Sequence, residues 1–294
     1  MTLSSESGGL VVVTGASTGI GAATARELAQ LGFHVLAGVR RERDGDAIRG
    51  PGVEPLILDI INPDHIAALS LRVNADPQRR QLRALVNNAG VGVNAPVEAF
   101  AIEEWRKLFE VNLFGHVAVT QALLPTLIRS KGRVINISSV GGRVAMATYG
   151  PYAGTKFALE AVSDALRREM APFGVRVVVV EPGAVRTEML GRAGTTTYDL
   201  TPEHSERYLG LVHAVTAQAA ASAESGLSAG DAAKTIGRIV TARKPRARYT
   251  IGRDAALATR LVRFVPDRML DRLLAAALRP YFPQSNGDLH PARG

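Results

Sequence analysis

The 294-residue chain has no cysteine, one tryptophan and few aromatic residues of any kind. Without cysteine there is no disulfide, no thiolate metal site and no thiol nucleophile. That absence is compatible with a reducing compartment, and a cytoplasmic location is expected. The six histidines are scattered, with no HExxH or comparable ligand spacing, so no metal site is expected. No apolar run approaches the roughly 20 residues that cross a bilayer. The opening M-T-L-S-S-E-S-G-G has neither the basic nor the apolar region of a signal peptide. Charge is scarce and uneven. Between Arg238 and Arg279 eleven Lys/Arg face three Asp/Glu, which accounts for the whole net charge of +8. The basic segment carries no nucleic-acid recognition motif and no interleaved stacking aromatics, so no nucleic-acid partner is expected.

What is present is apolar pattern. A 46% hydrophobic content can fill one large core. Strand-like runs alternate with helical ones, the signature of a parallel sheet wrapped by helices. Seven strands are predicted, near Leu10–Val13, His34–Val39, Glu54–Asp59, Ala84–Asn87, Arg133–Ser138, Arg176–Glu181 and Arg248–Ile251. Helices are predicted near Gly19–Leu31, Asp64–Asn74, Ile102–Arg129, Pro151–Ala171 and Ser228–Thr241. The fold class is therefore α/β, a single doubly wound domain over residues 1–252. A helical stretch rich in Thr, Ser, Ala and Gly is expected over about 188–226, and a helical extension over 253–294. In the extension Leu270, Leu273, Leu274, Ala277 and Leu278 form one apolar stripe, and Leu257, Leu261 and Phe264 a second. Arginines 268, 272 and 279 share that helix. Basic amphipathic helices of this kind can lie in a membrane interface, or the stripes can pack on the protein itself.

Two motifs carry chemistry. L-V-V-V-T-G-A-S-T-G-I-G runs from a strand through a glycine turn into a helix. Gly15 permits the sharp turn, while Gly19 and Gly21 let backbone approach a pyrophosphate at the helix N-terminus. Its GxxxGxG spacing differs from the GxGxxG of the standard dinucleotide fingerprint. In Y-A-G-T-K, Tyr152 and Lys156 lie one helical turn apart on one face. Ser139 ends the strand-like run V-I-N-I-S-S thirteen residues before Tyr152. A free phenol has a pKa of roughly 10, and an adjacent cation lowers it toward the range that general acid–base work needs. Such a trio suits oxidation of an alcohol or reduction of a ketone.

T-G-A-S-T-G-I-G, then N-N-A-G from Asn87 to Gly90, then the serine, tyrosine and lysine in that order resemble the short-chain dehydrogenases/reductases over most of the chain. The resemblance implies a Rossmann-type fold and a nicotinamide cofactor held by Gly15, Ser17, Thr18, Gly19, Ile20 and Gly21. It places Asp59 and Ile60 at the adenine, and Asn88, Ala89 and Gly90 around the adenosine ribose. Pro182, Gly183, Val185 and Thr187 would meet the nicotinamide, and about 188–226 would form the substrate lid. In the implied tetrad, Asn112 anchors a proton relay, Ser139 rather than Ser138 orients the substrate oxygen, Tyr152 is the acid/base, and Lys156 also holds the nicotinamide ribose. Tyr149 would line the pocket, and Asn87 could be purely structural. After the second strand Val39 stands where an acidic residue would bind the ribose diol, and Arg40 where arginine reads a 2′-phosphate. NADP(H) is thus expected over NAD(H), with Thr18 adding nothing to the preference.

K-P-R-A-R-Y-T-I-G-R-D-A-A-L near the C-terminus is similar to the retinol and hydroxysteroid dehydrogenase branch. It implies an apolar secondary alcohol or ketone: steroid, retinoid-like or fatty-acyl. Arg40 departs from the acidic residue of that branch's NAD-dependent oxidative members. Two alternatives are a reductase of 3-oxoacyl thioesters and a non-catalytic NADPH-binding protein. The family commonly pairs its central helices into homodimers and homotetramers.

Overall fold

Uninterrupted runs of valine, leucine and isoleucine build the centre of the molecule, because strands covered by helices on both faces need apolar side chains on both. The computed structural model describes residues 8–186, 200–224, 226–262 and 264–282. Its main sheet joins β1 (Leu10–Val13), β2 (His34–Val39), β3 (Val53–Ile57), β4 (Leu82–Asn87), β5 (Arg133–Ile137), β6 (Arg176–Pro182) and β9 (Arg248–Ile251). All pairings are parallel, in the order β3-β2-β1-β4-β5-β6-β9. This is the doubly wound order, in which ligands bind beyond the carboxyl ends of the strands.

The two-residue period of a strand divides the core in two. Val11 and Val13 face Leu28 of α1 (Gly19–Gln30) and Ile236 and Ile239 of α8 (Ala229–Thr241). Leu10 and Val12 face Leu69 of α3 (Pro63–Asn74) and Leu123 and Leu127 of α5 (Gly115–Ser130). Leu123 is fully buried, and its truncation to alanine should cost about 2–5 kcal/mol. Asn62 caps α3 by accepting from the Asp64 and His65 amides, and Ser228 and Asp231 form a capping box at the head of α8. Between β2 and β3 runs α2 (Glu42–Ile48), a short helix that the apolar pattern does not announce.

Several boundaries depart from expectation. The third strand is Val53–Ile57, not Glu54–Asp59. After it the Asp59 amide donates to Nδ1 of His65, which draws the chain out of the ladder. The single helix expected over Ile102–Arg129 is two helices, α4 (Ile102–Phe109) and α5, joined by a π-turn at Glu110–Phe114. By length and apolar content, residues 102–130 could cross a membrane after all. Yet Asn112, His116 and Thr120 are buried and hydrogen-bonded to the end of β4 and the loop after it, which makes this a core element.

Beyond β6, β7 (Val185–Arg186) pairs with β8 (Leu227–Ser228), a small ladder that the sequence does not announce. The expected lid region includes α7 (Pro202–Glu224), which leads from α6 (Gly150–Met170) and β6 back toward α8. The extension folds as α9 (Arg253–Leu261) and α10 (Asp267–Leu278). It docks on α7, where Gln218 donates to the Ala277 carbonyl at 3.1 Å. Only part of the expected stripe is covered. Leu278 is buried, but Leu273 is half-exposed, as are Met269 and Leu257, and Phe264 is 86% exposed.

Candidate active site

The glycine turn is locked by an arrangement in which side-chain bulk has no room. Gly15 has φ +63°, and a Cβ there would lie 2.6 Å from Cα of Ala89; one on Gly21 would lie 2.2 Å from the Gly15 carbonyl oxygen. Thr14 and Asn88 tie the turn to β4. The amides of Asn88 and Ala89 both donate to Oγ1 of Thr14, and Nδ2 of Asn88 donates to the carbonyls of Thr14 and Gly15, all at 3.0 Å. Thr18 precedes α1 with no capping hydrogen bond, and the first turn has no acidic residue. Free amides and the helix dipole therefore stand ready for an anion. Ser17 is half-buried beside them. Ile20 is partly buried and packs against the core. A pyrophosphate fits this cradle.

At the neighbouring strand ends Val39 is buried, and Arg40 and Arg41 are exposed. Val39 is part of the core and has nothing to offer a diol. Asp59 is half-buried, with Oδ1 accepting from the Ile61 amide, and Ile60 is packed under α5. The Asn87 amino group donates to Oγ1 of Thr120 on α5 and to Oδ1 of Asn136 on β5, at 2.9 Å each.

The proton-transfer candidates converge beyond β4 and β5. Ser139 opens a 3₁₀ turn, Val140–Gly142, by accepting from the Gly141 amide at 3.0 Å. A Cβ on Gly141 would touch both Cε1 of Tyr152 (3.2 Å) and Oγ of Ser139 (3.4 Å), which places these two groups side by side. Tyr152 and Lys156 lie on α6, whose first turn begins with Gly150 and Pro151. Lys156 is buried, donates to the Ile137 carbonyl at 3.0 Å and stands 5.7 Å from the centroid of the Tyr152 ring. Ser138 is buried beneath them, and Tyr149 meets Tyr152 edge-on.

Asn112 sits in the π-turn. Its amide exchanges hydrogen bonds with the Val91 backbone (2.9 and 2.8 Å) and donates to Thr155 at 3.2 Å. An extra residue per turn re-aims a side chain, a common use of such bulges. Here it points Asn112 at the loop after β4, next to Gly90 and the Lys156 ammonium.

The electrostatics depart from the expectation in one respect. Burial raises the Tyr152 phenol above its ordinary value, and the Ser139 hydroxyl partly offsets this. Burial also lowers Lys156 to about 8, with Glu160 opposing the fall. His116 is held near 3, hence neutral, by burial and by the Lys156 charge. Its Nε2 donates to the Ala89 carbonyl at 2.6 Å. Neither His116 nor Thr14 was anticipated from sequence, since no spacing flags them.

Pro182 ends β6, and the Gly183 amide donates to the Ile251 carbonyl at 2.9 Å. Val185 has a buried side chain, which leaves only its backbone for a nicotinamide contact. Thr187 lies outside the described residues. Above Tyr152, Val93, Ala95, Phe100, Leu108 and Trp105 form an apolar wall. The loop carrying it is latched to α7: Asn94 donates to Thr216, and Glu98 pairs with Arg207 and Tyr208.

This constellation can bind a dinucleotide and move a proton at a substrate oxygen. The model of the short chain dehydrogenase family matches residues 9–197. The chain is 34% identical to NADPH-dependent 3-dehydrocapnine reductase of Ornithobacterium rhinotracheale, over 93% of this chain and 99% of that protein. It is 33% identical to 17-beta-hydroxysteroid dehydrogenase type 6 of Rattus norvegicus, over 92% and 88%. A short chain dehydrogenase from Burkholderia cenocepacia, solved in complex with NADP, superposes with a TM-score of 0.70 at 27% identity, covering 92% of this chain and 98% of that one. The chain belongs to the short-chain dehydrogenases/reductases, nicotinamide-dependent oxidoreductases, within their retinol and hydroxysteroid dehydrogenase branch.

Proposed function

We propose that this protein is an NADP(H)-dependent oxidoreductase that interconverts a secondary alcohol and a ketone on an extended apolar substrate. The observation that carries the reading is the meeting of Ser139, Tyr152 and Lys156 beneath an apolar wall, beside a cradle shaped for a pyrophosphate. The bound cofactor would supply or accept the hydride at the carbonyl carbon. Ser139 would donate to the substrate oxygen, and Tyr152 would give it a proton in reduction and take one in oxidation. Lys156 would hold the ribose, and Asn112 would fix the loop through which the proton relay passes. A phosphate at the adenosine 2′ position favours Arg40 by charge-assisted contact, and the reductase relative named above also uses NADPH. NADPH oxidation measured on a panel of free ketones tests the reading. Activity confined to acyl thioesters would favour the thioester reductase, and tight NADPH binding with no turnover on any carbonyl would favour a sensing role.

We further propose a homodimer or homotetramer paired through the central helices, where Phe114, Phe157 and Val162 are exposed; light scattering on the purified protein tests it. In the cell the protein would be cytoplasmic, with peripheral contact to anionic membrane through its extension. Exposed Leu257, Phe264, Met269 and Leu273 lie there among exposed Arg260, Arg268, Arg272 and Arg279. The concentration of the chain's net positive charge in this segment complements anionic lipid. Co-sedimentation with anionic vesicles should weaken with salt and with Arg268→Gln and Arg272→Gln. Protein left in the supernatant at low salt would make the stripes intramolecular or intersubunit surfaces.

A further inference from the structure

Among the described residues, Arg79, Lys131 and Thr148 are the non-glycine residues that hold a left-handed backbone. Arg79 and Lys131 are exposed and carry unbranched Cβ atoms. Thr148 differs on both counts. It is β-branched, buried, and has φ +61°. A branched Cβ crowds the backbone in this region, so the conformation is costly and persists only where the surroundings enforce it. Strain of this kind concentrates at functional sites. Thr148 stands immediately before Tyr149 and the head of α6, the helix that carries Tyr152 and Lys156.

Two hydrogen bonds hold the strained residue in place. Its hydroxyl donates to the Ala147 carbonyl at 2.7 Å, and its own carbonyl accepts from the Ala95 amide at 2.8 Å. Ala95 is fully buried in the apolar wall that packs against Tyr152. Just beyond Thr148, a Cβ on Gly150 would lie 2.8 Å from Cγ2 of Val97, so the wall loop rests on the head of α6 itself. The other side of that loop is held by side chains, through Asn94 and Glu98 on α7. Thr148 is thus a backbone tie between the wall and the helix of the proton-transfer residues.

We propose that Thr148 is a positioning residue for substrate: its strained backbone braces the wall loop against the head of α6 and so sets the affinity of the site for extended apolar ketones. It acts through the wall and not on the reacting atoms. The proposal rests on the reading of that wall as the substrate surface, but its first test needs no substrate. Thr148→Gly removes both the strain and the hydroxyl, whereas Thr148→Ser keeps the hydroxyl. In the full-length protein, exchange of the Ala95 amide with solvent deuterium should quicken by about tenfold or more in Thr148→Gly, as local opening becomes easier. Amides of β4 should exchange as in wild type. Kinetics on ketones of increasing length give the second readout. For the longest, KM should rise about tenfold while kcat and NADPH affinity stay within about twofold of wild type, the pattern of lost ground-state binding. For the shortest, KM should not move. Quenching of the single tryptophan, Trp105 of the wall, reports the same affinity without turnover. Thr148→Ser should stay near wild type on every readout. Should Thr148→Gly fail to fold, Thr148→Ala, which also lacks the hydroxyl, is read on the same signals. A folded Thr148→Gly or Thr148→Ala protein with wild-type Ala95 exchange, or with an unchanged KM for the longest ketones, overturns the proposal. A wild type that neither oxidises NADPH nor shows Trp105 quenching with any ketone would overturn the functional reading, and with it the link to substrate. The Ala95 exchange would still decide whether Thr148 braces the loop.

Discussion

The Lys156 ammonium lies over the ring of Tyr152, 5.7 Å from its centroid, and donates to the carbonyl of Ile137 at 3.0 Å. In this state the lysine is anchored to the end of β5, and the phenol is governed by burial and by Ser139. On the proposed mechanism, acid–base work at neutral pH depends on Lys156 remaining charged. Because burial lowers Lys156 to about 8, the cation is present below that pH and is lost above it. The value of kcat/KM for carbonyl reduction should therefore fall as pH rises through about 8. Lys156→Arg, which stays charged, should remove that limb even where its overall activity is low. A flat profile between pH 7 and 9 would contradict this assignment of the lysine.

Gly141 packs against both Ser139 and the Tyr152 ring. A methyl group there would press on both at 3.2–3.4 Å. Gly141→Ala should leave folding and cofactor affinity near wild type and reduce kcat by about tenfold, since small misplacement at a reacting centre is costly. Calorimetric NADPH binding beside steady-state kinetics separates the two effects. A kcat within twofold of wild type would show that the groups relax without loss.

Much of this was readable from residues alone, because it depends on local pattern. The seven strands of the main sheet follow from alternating apolar runs, and the glycine turn and the Tyr152–Lys156 spacing are fixed by geometry within a few residues. What was not readable depends on long-range contacts. The π-turn that aims Asn112 exists because a side chain on one helix meets the Val91 backbone, 21 residues away. His116 matters only because the fold brings it to the Ala89 carbonyl. Sequence spacing fixes the helical face that Lys156 shares with Tyr152 but not its donation to the Ile137 carbonyl of β5.

On the proposed reading, cofactor choice turns on one exposed side chain. Arg40 has no ion-pair partner among the described residues, and Val39 is buried beside it. The wild type should prefer NADPH to NADH. Arg40→Asp should shrink or reverse the preference by about tenfold to a hundredfold, as the loss of a charge-assisted contact worth roughly 1.5–3 kcal/mol requires. Equal affinity of the unmutated protein for both cofactors would count against it.

A separate cluster sets acid stability. The buried Asp76 carboxylate accepts from Arg80 and Arg72, and Arg80 chiefly holds it far below the usual carboxylate range. Arg72 likewise lowers Glu54. A depressed folded-state pKa stabilises fully above the unfolded value, near pH 4, and the contribution is lost as pH falls through the folded value. Asp76→Asn should cost about 2–3 kcal/mol at neutral pH, and its stability should vary less than that of wild type below pH 4. Denaturant titrations at pH 7 and pH 3 measure both. An equal loss at the two pH values would assign the effect to packing.

The most direct test is NADPH oxidation, followed by cofactor absorbance, on a panel of apolar ketones with wild type and Tyr152→Phe. The phenylalanine keeps the ring and its apolar neighbours and removes only the transferable proton. Wild type is expected to turn over at least one steroid-like, retinoid-like or long-chain ketone. Tyr152→Phe should bind NADPH with near-normal affinity while kcat drops by about a hundredfold or more, the scale of a lost general acid. Turnover by Tyr152→Phe within tenfold of wild type would show that another group is the acid and would contradict the site proposed for this protein.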